Sequence, residues 1–275
     1  MDRTDALATR RAKIDSRIET ALTAADEDGL AVARETVEAF DDRWYGQLVL
    51  GAYDATVERR DTAVILPAAA AVELLRGYCR LRGELLVQLT ERGAHSITRD
   101  PTTALLGADY LYTAAYSTLG SIDHPDLDSG FATLTSVLES ITGAFATVEG
   151  TPTDGSDQIH GIEQTAGGLG EGAAVLGTTL AGVAEADEER FRALGRGAST
   201  ARRIDRALAS ERDRSILPPA LDEETLEAHA NTCRAVVDRT LDELERTADV
   251  TALRALLASD RGDGQPPTSR DRAAE

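Results

Sequence analysis

An all-α fold is predicted by three observations. Apolar residues recur at steps of three and four along nearly the whole chain, as one buried face of a helix requires. No run alternates apolar and polar residues in the way a half-buried strand would. Helix-start signals, among them Pro67 and Asp100-Pro101-Thr102, stand in front of the longest periodic segments.

The elements follow in order. Residues 4–40 carry Leu7, Ile14, Ile18, Leu22, Leu30 and Val37 at helical spacing, with a break near Asp26–Gly29. Residues 43–58 form the next helix. Pro67 suits the first turn of a long apolar helix to about Glu91, because its missing N–H is no loss there. Asp100-Pro101-Thr102 opens a helix to about Gly120, and Asp128 or Ser129 caps one over 130–149. Glu149–Ser156 reads as a loop. A Gly/Ala-rich helix covers Asp157–Ala184, another 187–210. Pro218-Pro219 breaks the chain before Leu221–Leu244 and Val250–Ala258. The 275 residues are 42% hydrophobic, enough for one sizeable core, and no composition break divides them. A single domain over 1–258 is expected, with 259–275 as a disordered Pro/Gly-rich tail that cannot bury apolar area.

Charge narrows the function classes. Asp and Glu number 48 against 29 Lys and Arg, a formal net charge of -19, and Lys13 is the only lysine. An acidic surface with scarce lysine, many alanines and 4% aromatics points to a cytoplasm rich in salt, where self-repulsion is screened within about 3 Å at 1 M. No basic stripe is available to displace phosphate counterions, which argues against nucleic acid and equally against anionic lipid. The N-terminus has no apolar run behind it, and no uninterrupted apolar stretch of about 18 residues is expected to span a membrane. Cys79 and Cys233 are far apart and are expected to be buried, reduced thiols. His95, His124, His160 and His229 are expected at the surface. Gly168-Leu-Gly-Glu-Gly172 lacks the Gly-Lys-Ser/Thr ending of a phosphate loop and reads as a helix face for close packing. Tyr112 and Tyr116 share a face at i, i+4, with Tyr110 beside them, and suit a core or an interface.

Three segments carry a resemblance. The first is Ala70-Ala71-Val72-Glu73-Leu74-Leu75, followed by Ala104-Leu-Leu-Gly-Ala-Asp109-Tyr-Leu-Tyr. The second is Gln164-Thr165-Ala166-Gly-Gly-Leu169 with Leu176-Gly177-Thr-Thr-Leu-Ala181-Gly182. The third is Phe191-Arg-Ala-Leu194-Gly195. In order and spacing, over roughly residues 40–258, they resemble the polyprenyl synthetase family, the trans-prenyl diphosphate synthases. The resemblance implies an isoprenoid-synthase-like helical bundle around a central cavity and a dimer formed largely through the helix that holds Tyr112. It also implies two facing Asp-Asp-x-x-Asp motifs, whose magnesium ions neutralise a departing diphosphate.

The chain departs from that pattern at both motifs. Where the first belongs stands Gly83-Glu84-Leu85-Leu86-Val87. Where the second belongs stand Arg206, Ala207 and Ser210, and Asp205 is one residue, about 100° of helix, out of phase. The phosphate clamps are reduced to Arg43 in Asp41-Asp42-Arg43-Trp44, Arg92 in Glu91-Arg92-Gly93, and Thr165 beside Gln164. No catalytic residue and no cofactor is therefore expected, and magnesium only if the chain is active. Its ligands would then come from Glu73, Glu84, Asp109 and Asp205. Arg76, Arg80, Arg82, Arg202, Arg203 and Arg206 are expected to cluster where carboxylates would have lined the cavity. There they can pair with Glu73, Glu84 and Asp205 as a salt-bridged plug, or bind a diphosphate without metal. The reading is a non-catalytic or regulatory subunit, as a homodimer or a heterodimer with an active prenyl diphosphate synthase. A divergent prenyltransferase and a carrier with a prenyl ligand are the alternatives.

Overall fold

The computed structural model describes residues 3–26, 30–90, 100–148, 155–209 and 223–262. Every regular element among them is a helix: α1 Arg3–Ala21, α2 Ala31–Glu38, α3 Trp44–Asp54, α4 Thr62–Thr90, α5 Pro101–Leu119, α6 Leu127–Val148, α7 Gly155–Ile162, α8 Gly168–Thr179, α9 Glu185–Ala209, α10 Glu223–Leu244 and α11 Thr251–Gly262. The all-α expectation holds, and several boundaries move. Helix α4 begins five residues before Pro67, because Asp61 caps it: its Oδ1 accepts the Ala63 N–H at 2.9 Å. Buried Val64 and Ile65 anchor the added turn, so Pro67 lies inside the helix and Ala63 loses its helical donor. Helix α6 starts at Leu127, which puts Asp128 inside its first turn, where a carboxylate complements the helix dipole. Helix α5 starts as expected, with the Asp100 side chain accepting the Thr103 N–H at 2.8 Å.

The expected helix over Asp157–Ala184 is three pieces. Between α7 and α8 lies a π-helical turn, Glu163–Gly167. Helix α8 then stops at Thr179, and Gly182, at φ +69°, makes the left-handed turn that follows. Helix α11 runs to Gly262, four residues into the expected tail; residues 263–275 lie outside the described ones, as do Pro218-Pro219, His95 and Arg92.

Helix α8 is the axis of the bundle, packed on both α9 and α3. Its glycines explain why. A Cβ on Gly170 would meet the Gly195 carbonyl oxygen at 2.4 Å, one on Gly195 would meet the Gly170 carbonyl at 2.3 Å, and one on Gly177 would meet the Val49 carbonyl at 2.5 Å. Backbones therefore touch at two levels of one α8 face, α9 at Gly170 and α3 at Gly177 about two turns on, which only residues without a side chain permit. The glycine run is a packing device. Helix α4 packs on α5 and α3 and is buried through Ala68–Leu75. One stretch of α4 comes near membrane length, although Glu73 and Arg76 interrupt its apolar run. Thr62–Leu86 has the length and composition of a span, but 67% of its most apolar window is buried, as in a core helix. A small second core of Ile162, Ala201, Ile204, Leu226 and Ala230 fixes α10 to α9.

Candidate functional site

The α2–α3 turn, α4 and α9 bring four charged side chains to one point. Asp42 is the centre. Its Oδ1 accepts from Arg76 Nη1 at 2.8 Å and from the Trp44 N–H at 3.1 Å. Its Oδ2 accepts from Arg206 Nη2 at 2.5 Å and from Arg202 Nη2. A carboxylate has about four acceptor positions, and all four are filled. Arg76 reaches on to Glu73 Oε2 at 3.3 Å, while Glu73 Oε1 accepts the Gly46 N–H at 2.8 Å. Aromatic faces hold the guanidiniums: Arg76 lies 3.9 Å from the Phe40 ring centre and 5.2 Å from that of Tyr45, and Arg202 lies 5.1 Å from that of Trp44.

Burial works against the charge of Asp42, but Arg76, Arg202 and Arg206 outweigh it and hold the carboxyl well below the usual carboxylate range. Arg76 shows the same contest with the same outcome: burial pulls its pKa down, while Glu73 and Asp42 lift it above the ordinary arginine value. Arg202 differs. Burial lowers it, Asp42 offsets only part, and Arg206 and Arg76 repel it, leaving about 10. Asp42 faces three cations, whereas Arg202 stands beside two like charges, Arg206 and Arg76.

The sequence reading anticipated part of this. Arg76, Arg202 and Arg206 come together, with Glu73 in the same network. Arg80 pairs within its own helix with Glu84 at 2.5 Å, and Arg82 turns to Asp109 on α5 at 2.7 Å. Asp205 meets Arg234 on α10. Neither Glu84 nor Asp205 joins the cluster. Arg203 is half-buried on α9. Arg43 is not poised for a ligand: in a left-handed conformation (φ 48°), it bonds Asp15 at 2.5 Å and the Val37 and Phe40 carbonyls at 2.5 and 2.6 Å. Thr165 bonds the Gly161 carbonyl at 2.7 Å within the π-turn. Gln164 accepts from Ser140 at 2.5 Å.

Asp42 was missed as the centre, although a signal existed. Arginine stands where the resemblance has an aspartate, and aspartate stands where it has a basic clamp, so the charges are exchanged across the site. The expectation of surface histidines also fails in two places. His124 is half-buried against the Asp126 N–H at 3.2 Å. His229 is half-buried between Glu163 at 3.0 Å and Cys233 at 3.6 Å. Cys79 and Cys233 are free thiols, half-buried rather than fully so.

Magnesium does not fit the residues present. Glu73, Glu84, Asp109 and Asp205 each bond an arginine, and no group of three metal-ligating side chains forms among the described residues. Hard divalent cations take several oxygens at one point. Two surface hollows, of about 420 and 350 Å³, lie away from Asp42. The second, between α6, α8 and α9, contains Arg192 and Arg196, both of which bond Glu171.

No family model matches the chain, and no curated protein matches it. Solved structures do. A geranylgeranyl pyrophosphate synthetase from the archaeon Geoglobus acetivorans is 18% identical, with 94% of this chain and 96% of that one covered, at a TM-score of 0.70. A geranyltransferase from Helicobacter pylori, complexed with magnesium and isoprenyl diphosphate, is 17% identical over 91% and 97%, at 0.70. A geranyl diphosphate synthase small subunit from Antirrhinum majus is 18% identical over 93% and 98%, at 0.69. The fold is therefore the all-α isoprenoid synthase fold. Within that class, the chain has the polyprenyl synthetase-like architecture, matched nearly end to end.

Proposed function

We propose that this chain is a non-catalytic, polyprenyl synthetase-like subunit of isoprenoid biosynthesis that pairs with an active prenyl diphosphate synthase or with itself. The observation that carries the reading is the Asp42–Arg76–Arg202–Arg206 cluster. It joins α2–α3, α4 and α9 by ion pairs where the resemblance places metal and diphosphate. Such a network holds helices together and supplies no ligand set for a divalent cation.

Pairing is supported by helix α5. It carries the exposed large apolar residues Leu105, Leu106 (52% exposed) and Tyr112 (41%). Tyr112 continues into Tyr116 on α5, at 4.8 Å between ring centres, and from there into Phe131 on α6, at 5.9 Å. Between residues 101 and 148 there is no lysine or arginine. The carboxylate on this face, Asp109, is paired with Arg82, and a partly aromatic face without lysine or arginine of its own is the composition of a protein interface. One structural relative is itself named as a small subunit. The cytoplasmic, salt-rich setting belongs to the same proposal and is supported by the acidic, lysine-poor composition.

The test is prenyl transfer in molar potassium chloride with magnesium, from isopentenyl and allylic diphosphates, with and without an active synthase. The expected result is no product from this chain alone and a changed rate or chain length with the synthase. Product from the chain alone would favour the second reading, a divergent prenyltransferase using its arginine cluster. No effect in either assay would move weight to an apolar-chain carrier, to be checked by extracting bound prenyl ligand.

A further inference from the structure

We propose that the hollow of about 420 Å³ between α1, the end of α3 and α11 is a binding site for a small zwitterion with an aliphatic body, an α-amino acid of the leucine kind. The inference goes beyond the pairing proposal and does not depend on it.

The first ground is what internal pairing leaves over. Asp54, the last residue of α3, accepts from Arg60 Nε and Nη2, and its Oδ2 also accepts from Arg10 Nη2 at 2.8 Å. Two cations share one carboxylate, so this trio is left at +1. The rim carries two further carboxylates. Asp249 is engaged, its Oδ1 accepting the Thr251 N–H at 3.0 Å in the turn that opens α11. Glu58 is exposed and has no partner among the described residues. The hollow therefore offers a cation and an anion at once.

The second ground is the state of Arg10. Its side chain is 15% exposed, and it makes one hydrogen bond, which leaves most of the five N–H donors of a guanidinium unused. None of its nitrogens is both buried and unpartnered, so the unused edge opens on the hollow that Arg10 lines. Burial pulls the Arg10 pKa down, Asp54 lifts it and Arg60 lowers it again, for a net fall. A second carboxylate would supply the neutralising charge that Asp54 divides between two arginines, and the planar fork suits a carboxylate.

The walls are the third. Leu7, Val57, Ala252 and Ala255 are apolar, and the volume is that of small-molecule sites. A short aliphatic chain leaves water there. A bare anion of that size would meet Glu58 and Asp249, and a bare cation would meet Arg10 and Arg60. An amino acid places its carboxylate on Arg10 and its ammonium toward Glu58, which is what selects the class.

Titration calorimetry of the full chain in molar potassium chloride tests this. L-leucine is compared with 4-methylvalerate, which lacks the amine, and with isoamylamine, which lacks the carboxylate. The expected result is saturable binding of leucine, with each analogue weaker by at least about tenfold, the effect of one lost charge-assisted hydrogen bond. Glu58→Gln should weaken leucine and spare 4-methylvalerate, and Arg10→Gln should weaken leucine and spare isoamylamine. Because Arg10 also ties α1 to α3, Ala252→Leu serves as a variant that fills the hollow without touching a charge, and it should abolish leucine binding. Helicity by circular dichroism confirms the fold of each. No saturable binding of leucine by wild type would overturn the proposal. So would folded Glu58→Gln and Ala252→Leu proteins that bind leucine as wild type does, or 4-methylvalerate binding as tightly as leucine. Each of these results leaves the pairing proposal standing, because no synthase is present.

Discussion

Glu73 Oε1 accepts the main-chain N–H of Gly46 at 2.8 Å, so a carboxylate with 0% exposure ties α4 to the first turn of α3. Its other oxygen holds Arg76. Replacing it with alanine leaves a buried N–H unpaired and strips Arg76 of one partner, a loss expected to cost about 3–5 kcal/mol. Glu73→Gln keeps an acceptor for Gly46 and should lose clearly less. Urea denaturation in molar potassium chloride measures both. An alanine variant within about 1 kcal/mol of wild type would show that this network does not hold α3 and α4 together.

The contact between α8 and α9 makes the second prediction. A Cβ on Gly170 would stand 2.4 Å from the Gly195 carbonyl and 1.8 Å from Ser199 Oγ. The hydroxyl can rotate, but the carbonyl cannot move without its helix. Gly170→Ala should therefore destabilise by about 1–3 kcal/mol, despite alanine's better helix propensity. Gly143→Ala is the control: nothing lies within 4 Å of that position, so propensity alone should act and stability should rise slightly. A stable Gly170→Ala protein would mean that the helices are farther apart than described.

Acid should weaken the fold through Asp42. Its pKa is depressed in the folded chain, while an unfolded aspartate titrates near 3.9. The contribution is thus fully present above about pH 4 and is lost as pH falls below it, because the unfolded chain binds the proton first. The three arginines stay charged throughout and then repel one another. Urea midpoints at pH 7 and pH 3 should show wild type well above Asp42→Asn at pH 7, with the gap narrowing at pH 3. A constant gap would exclude Asp42 titration as the cause.

Thiol chemistry offers an independent check on α4. Burial pushes the Cys79 thiol up to about 12, so at pH 8 almost no thiolate is present to react. Cys233 is raised as well, by burial and then by Glu163, with Arg234 opposing. Iodoacetamide at pH 8 should label Cys233 before Cys79, with Cys79 reacting much faster on denaturation. Rapid labelling of Cys79 in the native chain would contradict its packing.

The pairing proposal predicts that charge on α5 separates subunits without unfolding them. Leu106→Glu alters an exposed position, where substitutions away from contacts stay within about 0.5 kcal/mol, and Tyr112→Glu also removes ring contacts with Tyr78 and Tyr116. Light scattering after size exclusion should show a lower mass for both variants than for wild type, alone or mixed with a synthase, at unchanged helicity. An unchanged mass would remove α5 as the interface.

Much of the fold was legible, because long amphipathic periodicity and an N-cap such as Asp100 act locally. Boundaries failed where a capping residue outweighed a stronger-looking signal, as Asp61 outweighed Pro67. The π-turn between α7 and α8 gave no clear sequence signal, since it falls in a stretch of small residues where a shift of apolar register by one residue is hard to see. At the site, the arginines were legible by position on their helices. Arg80 and Arg82 stay out of the cluster because Arg80 lies one turn beyond Arg76 and pairs with Glu84, while Arg82, six residues on, points to another face and meets Asp109. Asp42 was missed because its role depends on α4 and α9 arriving beside a turn, which spacing within one segment does not encode.

The touch between Gly177 and the Val49 carbonyl joins the two halves of the sequence, whereas α4–α5 and α9–α10 pair near neighbours in it. Contacts between near neighbours close quickly, and distant ones wait for the chain to find them. The glycine seam that makes the bundle so tight therefore belongs to the contacts that carry a long loop-closure cost. A larger residue there would hold apart segments that lie far from one another in the sequence.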